Sequence, residues 1–418
     1  MESTRKVSDV MKPAVSLMTS VNQQSRLKLA LILGFLSGIG PLSIDMYLPA
    51  LPTLADDLGT TASISQLSLT ACLLGLAAGQ LLVGPISDVR GRRIPLIIGI
   101  AAYALVSALC AFSPNIAIFI AMRFIQGFAG AAGIVIARAS VRDLYSGPEL
   151  TKFYALLMLV NGAAPILAPI FGAEVLQHTS WRGVFFVLSI LGMMMLLVVL
   201  FGLRETLPEE RRMRGGIGNT LRTFRRLSRD SLFMGFALTQ GLVSASMFSY
   251  ISGSSFVLQE IYNVTPRQYS LIFSLNGAGI IIATQIAGRL ADKVEPRKLL
   301  RSGLLMASSG AALLLLAVTL QLGLAAVIAA FFLVVSSVGI ISTTTTSLAL
   351  QNQGNSAGSA SAMLGMISFI VGGTAAPLVG IGGKGTALPL AIVMASLVAS
   401  AFICYALLTK SRQGSQVQ

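Results

Sequence analysis

Asp45 lies inside the first long apolar stretch of the chain, in the run Ser43-Ile44-Asp45-Met46-Tyr47-Leu48-Pro49-Ala50-Leu51-Pro52. An ionised side chain near the centre of a bilayer costs roughly 2.5 to 3.5 kcal/mol on insertion scales, so acidic residues at such depth are kept where they line a path for solute or protons. Arg123 is a second charge within an apolar stretch. A helical rise of about 1.5 Å per residue, counted from each helix start, places the two Cα atoms about 7 Å apart in depth. A guanidinium spans much of that gap, directly or through water. The alternative places Asp45 near the outer interface, just before Pro49 and Pro52 end the helix, with Arg123 snorkelling or bound to backbone carbonyls. Burial and a nearby cation act on a carboxylate's proton affinity in opposite senses, so a change of surroundings moves the proton. The chemistry expected of Asp45 is reversible protonation in competition with a solute.

The elements that hold these charges are membrane helices. The 418 residues are 54% hydrophobic and only 11% charged, with a mean hydropathy of +0.80, far from soluble globular composition. Twelve apolar runs of about 20 residues are present, each long enough to span a bilayer. The net charge of +14 follows topology rather than nucleic acid. With the N-terminus in the cytoplasm, all Lys and Arg except Arg123, Arg182, Arg267 and Lys384 fall on cytoplasmic segments, as the positive-inside rule requires. Both termini are therefore expected in the cytoplasm, with Trp181 at the outer interface. Cys72, Cys110 and Cys404 are scattered and His178 stands alone, so no metal site is expected. The basic, polar N-terminal residues carry no apolar core with a cleavage site.

The interval 204–231 is the longest polar one and contains Arg211, Arg212, Arg214, Arg222, Arg225, Arg226 and Arg229. It divides the chain into a cytoplasmic tail 1–26, a six-helix bundle 27–203, a basic linker, a second six-helix bundle 232–409 and a tail 410–418. In the linker, Leu221, Phe224 and Leu227 share one helical face, which suits either a helix on an anionic membrane surface or a solvated connector. The loop Gly84-Pro85-Ile86-Ser87-Asp88-Val89-Arg90-Gly91-Arg92-Arg93 is echoed 204 residues later, where Gly288, Asp292 and Arg297 repeat Gly84, Asp88 and Arg93. Duplicated halves with a site between them follow from that repeat. Gly84, Pro85 and Gly91 are expected to turn the chain sharply at a helix end, with Asp88 pairing with Arg92 or accepting from helix-end amides.

These motifs together resemble the major facilitator superfamily, and within it the twelve-span drug:proton antiporters of the Bcr/CflA type. The resemblance rests on Gly84 to Arg93, on Arg123-Phe124-Ile125-Gln126-Gly127, on Asn161 to Gly172, on Asp45 to Pro52 and on Tyr250 to Glu260. It implies an all-α membrane fold of two pseudo-symmetric six-helix bundles acting as a monomer. It further implies proton coupling at Asp45 and Arg123, and a cytoplasmic gate of Gly84, Asp88, Gly91, Arg92 and Asp292. An antiporter motif of Gly162, Pro165, Pro169 and Gly172 follows as well. Ala164 and Ala168 stand where the broad antiporter motif has glycines, and the two prolines are expected to bend their helix.

Tyr47, Gln126, Met158, Asn161, Tyr250, Phe256 and Asn276 are the expected substrate contacts, since aromatic and Met surfaces suit bulky amphipathic ligands. The implied function is export of drugs or other small amphipathic molecules across a bacterial cytoplasmic membrane, with the proton as coupling ion and no other cofactor. A dedicated transporter of one metabolite, such as a siderophore, sugar or amino-acid derivative, is the alternative. An ATP-driven pump is disfavoured because Gly383-Lys384-Gly385 lacks the rest of a phosphate loop. A membrane enzyme is disfavoured because no nucleophile, base and orienting group stand out together.

Overall fold

A span in hydrocarbon must satisfy its backbone internally, and a helix does so within one segment. The computed structural model describes residues 29, 31–145, 147–212, 217–351, 353, 357–383 and 385–409, all in helices and short connections. The helices are α1 (Leu31–Asp57), α2 (Ala62–Arg90), α3 (Arg93–Ala111), α4 (Ile116–Leu144), α5 (Gly147–His178) and α6 (Trp181–Gly202) in the first half. The second half has α7 (Ser231–Phe256, extended by a π turn Val257–Ile261), α8 (Pro266–Leu290), α9 (Pro296–Thr319), α10 (Leu324–Leu350), α11 (Ala357–Ala375, continued by Ala376–Gly380) and α12 (Leu388–Leu408). This is a twelve-helix membrane protein.

Polar caps set where several helices begin. Thr61 accepts from the amide of Ile64, Asn115 from Ile118 and Ser180 from Arg182, while Asp230 accepts from Leu232 and Phe233. Thr265 and Gln268 close a capping box ahead of α8, with Pro266 in its first turn. Gly91 ends α2 at φ +86°, a left-handed conformation that side chains avoid. Gly84 and Pro85 do not break the helix as the sequence suggested. The helix continues to Arg90 because Ser87 Oγ donates to the Gly84 carbonyl (2.8 Å) and Arg92 ties back to Asp88 (2.6 Å), so the turn falls on Gly91 alone.

Small residues bring the helices of the first half together backbone to backbone. A Cβ on Gly75 would come within 2.9 Å of the Phe128 amide, and one on Gly127 within 2.9 Å of the Cys72 carbonyl carbon, so α2 and α4 touch along their main chains. The linker helix Ile217–Leu227 packs against α11, with Leu227 buried and Phe224 against the core, while the Leu221 side chain lies outside the described residues.

The two halves meet through α2 against α11 and α5 against α8. The hydrogen bonds that join described residues across this seam all lie toward the end opposite the basic connections. Ser63 donates to the carbonyl of Pro377 (2.9 Å), Gln66 to Ser252 (3.2 Å), Thr70 to Gly373 (2.7 Å) and Gln259 to Pro49 (3.2 Å). Ser270 donates to Pro169 (2.8 Å) and Ser274 to Ile166 (2.7 Å). The seam is therefore closed at the end away from the basic loops, by neutral side chains on opposing backbone carbonyls.

Candidate functional site

Arg123 is fully buried in the first half. Its guanidinium donates to the backbone carbonyl of Ser43 (2.9 Å) and to Gln126 Oε1, and lies 4.4 Å from the Tyr47 ring centroid and 5.5 Å from that of Phe185. Gln126 sits one turn on from Arg123 and passes the chain to Ser107 Oγ (2.7 Å), whose hydroxyl donates to the Tyr103 carbonyl (2.7 Å). Ser43 Oγ meets Tyr103 Oη at 2.8 Å, and Tyr47 Oη meets Ser68 Oγ at 3.1 Å. The charge thus rests on a carbonyl, an amide oxygen and two π faces. A desolvated cation gains about 2 kcal/mol from such faces, and the fixed fork of Arg suits two acceptors at once. Tyr47, Arg123 and Gln126, singled out from sequence, form one cage. Ser43, Ser68, Tyr103 and Ser107 complete it, and only their polarity within apolar runs marks them in the sequence.

Asp45 does not pair with Arg123. It is 4% exposed and its Oδ1 has no hydrogen-bond partner. The Ser43 carbonyl is free to take Arg123 because it lies in the last turn before the helix breaks at Met46 and Tyr47, where carbonyls lack an intrahelical partner. The turn that follows Asp45, Leu48–Ala50, packs against α7 and α8 of the second half. There Asn276 Nδ2 donates to Tyr250 Oη (2.7 Å), and the Tyr250 ring packs on Phe273 and Phe331 with centroids 5.5 and 5.0 Å away. Tyr250 and Asn276 are therefore joined as one unit on the far side of the seam from the cage. Phe256 is buried at the end of α7, in the core near the closed end. The side chains of Met158 and Asn161 lie outside the described residues.

The α5 motif forms part of the seam. The carbonyls of Ile166 and Pro169 receive the serines of α8, and a Cβ on Gly162 would meet Ile281 at 3.4 Å. Gly172 lies against the Met46 carbonyl with no room for a side chain. This places α5 directly on the backbone beside Asp45. Pro165 lies inside the same helix, which runs on through both prolines to His178.

At the basic end, Arg92 gathers a second cluster. Its guanidinium bonds Asp88 (2.6 Å), Ser87 (2.8 Å) and Asp143 (2.8 Å). Partial burial of Glu205 opposes its charge, but four backbone amides outweigh it and hold the carboxyl below its ordinary range. They are Leu207 (3.0 Å), Arg92 (2.8 Å), Arg93 (3.1 Å) and Thr206 (3.0 Å). Asp88 thus takes Arg92, and the helix-start amides go to Glu205. Asp143 and Glu205 were not singled out from sequence, and their positions at the ends of α4 and α6 are the only clue. A Cβ on Gly91 would come within 2.6 Å of Glu205 Oε2, so the turn and the carboxylate fit each other. Asp292, the repeat of Asp88, is exposed and makes no ion pair among the described residues. Among the described residues the cluster lies wholly in the first half, and the gate residues Gly84, Asp88, Gly91 and Arg92 make no hydrogen bond to the second half there.

Residues 33–377 match the sequence profile of the Major Facilitator Superfamily. The chain is 44% identical over 393 residues to the uncharacterized MFS-type transporter YdgK of Bacillus subtilis (strain 168), covering 94% of this chain and 98% of that protein. It is 31% identical to the bicyclomycin resistance protein homolog of Haemophilus influenzae, over 93% of this chain and 97% of that one. It is 32% identical to the chloramphenicol resistance protein of Pseudomonas aeruginosa, over 71% of each. Among solved structures, the nucleoside transporter NupG aligns with a TM-score of 0.75 at 13% identity, covering 93% of this chain and 100% of that chain. A bacterial homolog of the human lysosomal transporter Spinster aligns with a TM-score of 0.73 at 14% identity, covering 93% and 96%. These two likenesses concern the fold.

Proposed function

The chain belongs to the major facilitator superfamily, among relatives of the bicyclomycin and chloramphenicol resistance type, and on that premise we propose that it exports drugs or other small amphipathic molecules in exchange for protons. It is a multi-pass bacterial membrane transporter. In the proposed cycle the basic end faces the cytoplasm, by the positive-inside rule, so the closed seam is the outer gate and this conformation receives substrate from inside. A monomer suffices for it.

The observation that carries the reading is Asp45: a buried carboxyl whose Oδ1 has no hydrogen-bond partner, two residues beyond the carbonyl that holds Arg123 and just ahead of the turn that meets α7 and α8. An isolated buried carboxylate is too costly to keep charged, so Asp45 carries its proton in this state. Substrate arriving from the cytoplasm offers the carboxylate new partners, and the proton leaves to the cytoplasm as it binds. After the outer gate opens, solvation and a more acidic exterior return the proton to Asp45 and expel the substrate. Arg123 stays in its cage and keeps the α1 backbone fixed beneath Asp45. The Arg92 cluster braces α2, α3, α4 and the end of α6 as one rigid body, so that the first half moves as a unit.

Accumulation of labelled chloramphenicol in everted vesicles containing the protein tests this. Accumulation that an uncoupler abolishes, and that chemically unrelated compounds inhibit, is the expected result. Accumulation that survives collapse of the proton gradient would refute proton coupling. Transport confined to one metabolite would refute the multidrug assignment.

A further inference from the structure

The repeat relates α1, α2 and α4 of the first half to α7, α8 and α10 of the second. In the first half this three-helix junction is filled by the Arg123 guanidinium and its partners. Its counterpart holds small neutral side chains with unmet hydrogen-bonding groups. Asn276 gives Nδ2 to Tyr250 Oη, while its Oδ1 is buried and without a partner. Either orientation of that amide leaves one of its two polar atoms unpaired. Ser336 Oγ on α10 is buried without a partner and lies against Gly279, one turn along α8 from Asn276. Ser246, one turn before Tyr250 on the same face of α7, is fully buried, and its Oγ is equally unpartnered.

The hydroxyls of Ser246 and Ser336 have not taken the usual local bond. Serines and threonines inside a helix ordinarily donate to the carbonyl three or four residues back, as Ser337, Ser342 and Thr344 do on α10. Those of Ser246 and Ser336 remain free of it. Each unmet buried polar atom destabilises the fold, and natural proteins satisfy such groups with ordered water where the site is polar and offers several partners. A metal cation is a poor fit, because Ser246, Asn276, Ser336 and Tyr250 supply only neutral oxygens.

We propose that the α7/α8/α10 junction is a binding site for ordered water, shared by Ser246 Oγ, Asn276 Oδ1 and Ser336 Oγ. Water there fixes the Asn276 amide with its Nδ2 on Tyr250, and so holds the Tyr250 hydroxyl in place. The site is thus the neutral counterpart of the Arg123 cage, and it positions Tyr250 without touching substrate.

Thermal unfolding of the full chain in nanodiscs, for Ser246→Ala, Ser336→Ala and the double variant, tests the proposal. Both single variants lower the midpoint, and the double variant falls by less than their sum, because both lose the same bridge. A midpoint raised or unchanged in either single variant would overturn the proposal, as removal of a dry unpaired hydroxyl relieves a penalty. Strict additivity would overturn the sharing. A midpoint that rises specifically with Na⁺ or K⁺ would overturn the assignment to water in favour of a cation. Radiolytic footprinting of the parent protein reads the water directly. Oxidation at the fully buried Tyr250 and Phe331 supports bound water beside them, and their silence would overturn it.

Discussion

Closure of the outer seam depends on neutral hydrogen bonds to backbone carbonyls, and removing two of them should tip the conformational balance. Ser270 and Ser274 are buried on α8 and donate to Pro169 and Ile166 of α5 at 2.8 and 2.7 Å. A neutral intramolecular hydrogen bond contributes about 1 kcal/mol net. Ser270 has one hydroxyl hydrogen, shared in the closed seam between Pro169 and the Pro266 carbonyl of its own helix (2.9 Å), and opening leaves it on Pro266, so most of the loss falls on Ser274. Ser270→Ala with Ser274→Ala therefore costs the closed state about 1 kcal/mol relative to the open one. That is roughly a fivefold change in the ratio of outward-open to inward-open protein. Spin labels at Phe112 and Leu320, exposed at the closed ends of α3 and α9, report the separation of the halves when Cys72, Cys110 and Cys404 are replaced. The double variant shows a longer distance that grows at the expense of the parent's. An unchanged distance distribution in a correctly folded variant would refute the assignment of this seam as the gate.

Arg123→Lys keeps the charge but loses the fork that holds Ser43 and Gln126 together, so the protein loses about 2 to 3 kcal/mol of stability, read as a lower unfolding midpoint in nanodiscs. An unchanged midpoint would show that the cage does not depend on the guanidinium. The carboxyl of Glu205 is held below its ordinary range, so its contribution is present above the unfolded carboxylate pKa of about 4.3 and is lost as pH falls through the lower folded value. Glu205→Gln therefore flattens the fall in unfolding midpoint between about pH 5 and pH 3, and a slope identical to the parent's would count against the four-amide contact.

Helix number, the division into halves and the two intramembrane charges were legible because hydropathy and charge vary along the chain on the scale of a bilayer. Of the readings of Arg123, the pair with Asp45 fails and the bond to a backbone carbonyl holds. Counting residues gives depth but not which way a side chain faces, so it did not decide between them. The α2 end was misjudged for a related reason. Gly84 and Pro85 are strong local punctuation, yet Ser87 and the Asp88–Arg92 pair carry the helix past them to Gly91. Asp143 and Glu205 lie 51 and 113 residues from Arg92, and contacts at such separations leave no periodic trace. The apolar face of the linker helix was visible, but only the fold shows that its Phe224 and Leu227 pack on the protein core.

Proton release evoked by chloramphenicol in acid-loaded everted vesicles, followed with a pH-sensitive dye for the parent protein beside Asp45→Asn, tests the central claim most directly. Release by the parent and none by a correctly inserted Asp45→Asn is the predicted result, since the amide keeps the shape of the protonated acid and has no proton to exchange. Full drug-evoked release in Asp45→Asn would contradict the account and place proton coupling at another residue.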